Sequence, residues 1–259
     1  MKPEKYVWTD DIAKITNTKI KNAFLGSEGC GIFMESGSLS DDVKYLRKNG
    51  VSVGLIIPFL TPEREKNFKR LLAGLEKKTE VAVNDMGAFC LVEKSGHTPI
   101  IGRLLTKQQT DPAICRFYIR QPERKVLSDS AKAFLRHIPP SERLERYFRD
   151  IPVFSNAASE VFLQNRNCIA VILDMPAHGL PETVPKGFEI ILHKSSVITA
   201  VLPCVKCSDC PMEETYIGTT RSGVPIYRKR NICYYKPPDR FSETESEISD
   251  YINKILYSL

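Results

Sequence analysis

Residues 51–60 read Val-Ser-Val-Gly-Leu-Ile-Ile-Pro-Phe-Leu, a long and continuously apolar strand. Thr61-Pro62-Glu63 follows, a cap residue with proline at the first helical position, and the helix it starts runs to about Lys78. Glu80–Val83 is then a further short apolar strand. An apolar strand, a helix and another apolar strand describe a parallel βαβ unit, because a strand that is apolar throughout is buried on both faces.

The same alternation continues in both directions. Asn22–Gly26 is a strand running into Gly26-Ser27-Glu28-Gly29-Cys30-Gly31, and Ser40–Asn49 is a helix. Asn84-Asp85-Met86-Gly87 leads into a short helix ending near Gly96, and Thr98–Leu105 is a strand. Ser128–His137 and Ser141–Asp150 are helical, Pro152–Ser155 a strand, Ala157–Asn165 a helix and Ile169–Asp174 a strand. Phe188–His193 and Val197–Leu202 are two more apolar runs. About seven strands alternating with helices suit an α/β, (β/α)8-type (TIM-like) barrel, complete or incomplete, with a doubly wound open sheet as the alternative. We expect a single domain over 1–259, with the barrel core in 1–203 and an irregular cysteine-bearing segment at 204–238. A C-terminal helix is expected over 242–259, where Ile248, Ile252, Ile255 and Leu256 share one helical face.

At 259 residues, with 42% hydrophobic and 26% charged residues, the chain has the makeup of a globular protein able to bury a core. No run approaches the ~18–20 apolar residues of a membrane span. Met1-Lys2-Pro3-Glu4-Lys5 lacks the apolar core of a signal peptide, which implies a cytoplasmic location. In that compartment eight cysteines are reduced, metal-bound or reactive rather than disulfide-paired. The net charge of +6 gathers in Arg116–Arg124, Arg143–Arg149 and Arg228-Lys229-Arg230, either solvated faces or a surface for an anionic partner such as RNA.

The densest chemical signal is Pro203-Cys204-Val205-Lys206-Cys207-Ser208-Asp209-Cys210-Pro211. Thiols at two-residue intervals can converge on one ion or cluster, and C-x2-C-x2-C before proline has the form of bacterial-type iron–sulfur ligation. A tetrahedral zinc or a 4Fe–4S cluster needs a fourth ligand, so the rest of the fold must supply it. Iron–sulfur fits better than zinc, since zinc ribbons pair two C-x2-C knuckles and Cys233 stands alone. Cys90, Cys115 and Cys168 read as core residues, because buried thiols behave as small hydrophobes.

Asp85 follows a strand, where barrel enzymes place chemistry, and equally suits a helix cap. Glu189 and His193 share a strand face by period two and suit acid–base work, substrate binding or a structural pair. His178 is a loop residue after a strand. No G-x-S-x-G, H-E-x-x-H or P-loop pattern is present, which speaks against a peptidase.

The order Asn84-Asp85-x-Gly87, Phe154-Ser155-Asn156-x-x-Ser159, Ile169-x-x-Ile172-Leu173, Glu189-x-x-x-His193 and Cys204 resembles the collagenase-like peptidase family. Its better-understood members are oxygen-independent hydroxylation proteins for ubiquinone synthesis and for RNA. The resemblance covers roughly Asn22 to Cys233. It implies a barrel-like fold with a 4Fe–4S cluster on four cysteines, Cys204, Cys207 and Cys210 matching three of them. Cys30 in one branch and Cys233 in another match the fourth. The family's Glu-x-x-x-His-Gly has Lys194 in place of its glycine.

Two functions follow. The first is an iron–sulfur barrel protein that takes part in oxygen-independent modification of a small aromatic or nucleobase substrate, free or in RNA, with Asp85, Glu189 and His193 lining the pocket. The second is a non-enzymatic zinc- or cluster-stabilised binding module or accessory subunit. A partner chain fits either.

Overall fold

The computed structural model describes residues 3–16, 19–35, 38–106, 157–175, 187–202, 210–211, 213–219, 223–237 and 252–258. Eight parallel strands close into a barrel in the spatial order β1-β12-β7-β6-β5-β4-β3-β2. They are β1 (Glu4–Thr9), β2 (Asn22–Gly26), β3 (Ser52–Ile56), β4 (Glu80–Val83), β5 (Thr98–Ile101), β6 (Ala170–Asp174), β7 (Glu189–His193) and β12 (Lys254–Ser258). The closed barrel therefore holds and the open sheet does not. Outside it lie α1 (Ile12–Thr16), α2 (Leu39–Lys48), α3 (Pro62–Gly74), α4 (Met86–Lys94), α5 (Arg103–Thr106) and α6 (Ala157–Gln164). Among the described residues no helix is long and apolar enough to cross a membrane.

Two apolar layers follow from strands buried on both faces. Inward-pointing Tyr6, Phe24, Ile56, Ala82, Ile100, Ala170, Ile172, Ile191 and Leu256 fill the barrel. Outward-pointing Leu25, Val53, Leu55, Val81, Val83, Val171 and Leu173 pack with Leu46, Phe68, Leu72, Phe89 and Val92 of the helices. Gly54 makes room for an interior ring: a β-carbon there would stand 2.5 Å from the Phe24 ring. The pattern alternates large and small residues, as a filled barrel requires.

Three expectations need correction. The C-terminal residues 254–258 form β12, parallel to β1 and β7, not the end of a helix; residues 242–251 lie outside the described residues. The spacing of Ile252, Ile255 and Leu256 mimics a helix because a barrel strand buries both faces, and five residues are too few to show a period of two. The open hydrogen-bonding edges of β1 and β7 decide the matter. The barrel is also not confined to 1–203, since β12 closes it. Finally, the segment expected to be irregular contains β9 (Thr215–Thr219), β10 (Pro225–Lys229) and β11 (Ile232–Tyr235), which join β8 (Val197–Val201) in a four-stranded antiparallel sheet of order β8-β11-β10-β9. The sheet is inserted between β7 and β12. The expected elements at 128–137, 141–150 and 152–155 lie outside the described residues.

Candidate functional site at the barrel mouth

The carboxyl ends of the strands converge on one buried cation. Gly102 ends β5: a β-carbon there would meet Asn84 Oδ1 at 2.4 Å and the Val83 carbonyl at 2.7 Å. Only glycine allows that approach, and it turns the chain so that Arg103 points across the mouth instead of continuing the strand expected to Leu105. Arg103 Nε donates to Glu28 Oε1 at 2.8 Å, and Nη2 donates to Glu28 Oε2. Nη1 donates to Asp174 Oδ1 at 2.6 Å and to the Ser196 carbonyl at 2.8 Å. The Arg103 guanidinium carbon lies 5.7 Å from the centre of the Trp8 ring.

One guanidinium thus serves two carboxylates away from water, which leaves the trio with an excess negative charge. Burial works to lower the Arg103 pKa, but the Asp174 and Glu28 carboxylates outweigh it and hold it above its ordinary value. Burial pushes the Asp174 carboxyl up to about 6, Arg103 opposing and Glu28 reinforcing the rise. A carboxyl that titrates near neutrality at the end of a barrel strand is suited to holding a proton.

His193 ends β7 beside this trio. Its Nδ1 is 3.1 Å from the Ser196 carbonyl, and its Nε2 is 3.3 Å from Ser258 Oγ. Since a carbonyl can only accept, the hydrogen-bond partners assign the proton to Nδ1 and leave the Nε2 lone pair to the Ser258 hydroxyl. Burial, helped by the charge of Arg103, holds the His193 pKa well below its usual value, so the ring is neutral. Trp8 packs edge-on against it, 5.3 Å between centres.

The antiparallel sheet forms one side of a half-open cavity of about 490 Å³, lined among others by Trp8, Arg103, Ser196, Ser258, Arg230 and Tyr234. The lining is mostly polar, Glu213, Glu214, Lys229 and Lys236 included, with Trp8, Ile232 and Tyr234 as its apolar surface, and the size is that of a small-ligand site.

The residues expected from sequence divide. His193 stands in the cluster at the mouth. Glu189 does not: four residues along a strand is about 13 Å, so it lies at the opposite end of the barrel. There Lys254 Nζ is 2.9 Å from Glu189 Oε2, a charge contact, and 3.2 Å from Glu80 Oε1. Asp85 caps α4: Oδ1 accepts from Ala88 N and Oδ2 from Leu60 N, each at 2.8 Å. Both carboxylate oxygens are occupied by the main chain, so Asp85 ties two loops together.

Cys204, Cys207 and Cys115 lie outside the described residues, as does His178. Cys30 and Cys233 are buried free thiols and Cys210 is partly exposed. Among the described residues no three His, Cys, Asp or Glu side chains converge as a metal site. The three described candidates nevertheless bracket one turn. A β-carbon on Gly29 would touch Asn231 and Ile232, both at 2.5 Å; the carbonyl of Pro211 accepts from Arg230 N at 2.6 Å; and Cys233 follows Ile232. Cys168 is a core thiol, pushed by burial to about 11, and Cys90 is half-buried against the same apolar layer.

Sequence reading missed Glu28, Arg103, Asp174 and the two partners of His193, Ser196 and Ser258. The available signal was a charged residue ending or interrupting an apolar run, at Arg103 and Asp174. Comparison with family models, curated proteins and solved structures gives no match for the chain.

Proposed function

We propose that the protein is an iron–sulfur barrel protein that takes part in an oxygen-independent modification, of the hydroxylation type, of a small aromatic or nucleobase substrate held at the barrel mouth. What supports the reading is one observation: Arg103, Ser196 and Ser258, the outer members of the mouth cluster, line a cavity whose other side is built by the segment that carries the thiol run. Cys210, Cys30 and Cys233 each adjoin a residue of the turn at 230–232 or a residue packed on it, and Arg230 of that turn lines the cavity. The donor set, thiolates at two-residue spacing with a distant cysteine, suits a 4Fe–4S cluster, and Cys204, Cys207 and Cys210 with Cys30 or Cys233 would hold it. Such a cluster supplies electron transfer or substrate activation when bound.

The chain's own groups do the rest. Trp8 and Tyr234 offer apolar ring surface to a planar substrate. His193 Nε2 accepts a hydrogen bond from Ser258 Oγ, and Ser258 lines the cavity, so a proton from a bound hydroxyl reaches the buried ring through Ser258. Asp174 exchanges a proton close to neutral pH behind Arg103.

Anaerobic purification with iron and sulfide analysis tests the reading. We expect a brown protein with about four irons per chain, lost on Cys207→Ser. Cys30→Ser and Cys233→Ser then identify the fourth ligand, because only one of them should lower the iron content. A colourless protein carrying stoichiometric zinc, or iron unaffected by any of the three changes, sinks the proposal.

A further inference from the structure

The β10–β11 hairpin is joined by the two-residue loop Arg230-Asn231, and Arg230 has φ 55°. That is the left-handed region, which glycine occupies without cost and a long side chain does not. Non-glycine residues kept in this region concentrate at ligand clamps and active sites, held there by their surroundings. The surroundings of Arg230 are specific. Its N–H donates to the Pro211 carbonyl at 2.6 Å, and its carbonyl accepts from Arg228 Nε at 2.7 Å. Its Nη2 forms an ion pair with Asp10 Oδ2 at 2.8 Å, yet its Nε–H is buried with no acceptor among the described residues. A guanidinium can grip a carboxylate or phosphate through two parallel N–H groups, and here it holds Asp10 through one.

The position matters as much as the strain. Asp10, Lys229 and Arg230 line both the mouth cavity and a second cavity of about 410 Å³ on its outer side, so the ion pair stands between them. Lys229 adds a second cation to that wall, where its charge is felt by Glu214, which lines the mouth cavity with Glu213.

The geometry points to Arg230 as an anion clamp: a carboxylate or phosphate group of a ligand in the mouth cavity displaces Asp10 from its guanidinium and satisfies the idle donor. Asp10 is then an internal stand-in for the ligand's charge, holding the strained arginine in place until the ligand arrives. The inference rests on the mouth cavity being the ligand site, as proposed above, but not on the cluster. It names a feature of the ligand, an acidic group placed within reach of the wall between the two cavities.

Trp8 is the sole tryptophan and lines the same cavity, so its fluorescence reports on occupancy. Titrations of the whole protein with benzoate and with inorganic phosphate, at constant ionic strength, supply the test. Saturable change is expected with at least one probe, and the tighter of the two tells an aromatic carboxylate from a phosphate source. Arg230→Gly should weaken binding about tenfold or more by removing charge-assisted hydrogen bonds. It should melt no lower than the wild type, because glycine accepts the backbone angle. Asp10→Asn should tighten binding several-fold by removing the competitor. Equal affinity in wild type, Arg230→Gly and Asp10→Asn overturns the clamp, as does the absence of saturation in both wild type and Asp10→Asn. Iron content measured on the same samples stays constant across the variants, so failure of the clamp and failure of the cluster are separate results.

Discussion

The two ends of the barrel carry the same charge arithmetic, one cation between two carboxylates, in different surroundings. At the carboxyl end, the Arg103 and Glu28 side chains are each 1% exposed and Asp174 is 4% exposed. At the amino end, Lys254 is 10% exposed while its partners Glu80 and Glu189 are 27% and 43% exposed. Burial works to lower the Lys254 pKa, but Glu189 and Glu80 hold it above its ordinary value. Water reaches the carboxylates of the lower trio and screens them. In the upper trio no solvent offsets the second negative charge, and a carboxyl with a near-neutral pKa results. The lower trio closes the barrel bottom beneath Tyr6, with Lys254 Nζ 5.2 Å from the ring centre. The upper trio, with the same stoichiometry, holds its second carboxylate away from water.

The comparison can be broken most easily at Arg103. Arg103→Met leaves two buried carboxylates without their cation, and we expect a loss of about 3–5 kcal/mol in unfolding free energy, measured by urea denaturation. A loss below about 1 kcal/mol would mean the upper trio is no different from a surface pair.

Asp174→Asn sharpens the contrast through pH. With the native carboxyl raised to about 6 from 3.8, the folded state keeps its proton where the unfolded chain has lost it. More protons bound in the folded state means unfolding free energy falls as pH rises from about 4 to about 6. The Asn variant lacks this slope, so its melting temperature relative to wild type should rise across that window and level off above it. Parallel profiles would place the raised pKa elsewhere.

The smallest effect is expected at the bottom. Lys254→Met should cost about 1 kcal/mol or less, because Glu80 and Glu189 remain wetted and the methionine still packs on Tyr6. A larger loss would show that the lower trio is as dry as the upper one.

How much of this was legible varies by residue. The strands at 22–26, 52–56, 80–83 and 170–174 could be read from apolar runs with helix starts between them, Thr61-Pro62 above all. β1 could not, because Glu4-Lys5-Tyr6-Val7-Trp8-Thr9 mixes charges with aromatics and shows no continuous apolar stretch. β12 was misread as helix for the reason given by its two buried faces. His193 was found because imidazole after an apolar strand is conspicuous. Glu189 was joined to it by the period of two, which fixes a face but not a depth. Arg103 was swallowed by a strand that ends two residues earlier, at a glycine whose role depends on Asn84, eighteen positions away in the chain.

Sequence alone was enough for the alternation of buried strands and helices, and with it a parallel α/β fold, barrel or open sheet, because apolar periodicity and helix caps act over a few neighbouring residues. Only the tertiary structure decided which strands close the ring, and which charges meet inside it. Those choices depend on open hydrogen-bonding edges and on desolvated ion pairs between residues as far apart as Glu28 and Arg103, and no local pattern records them.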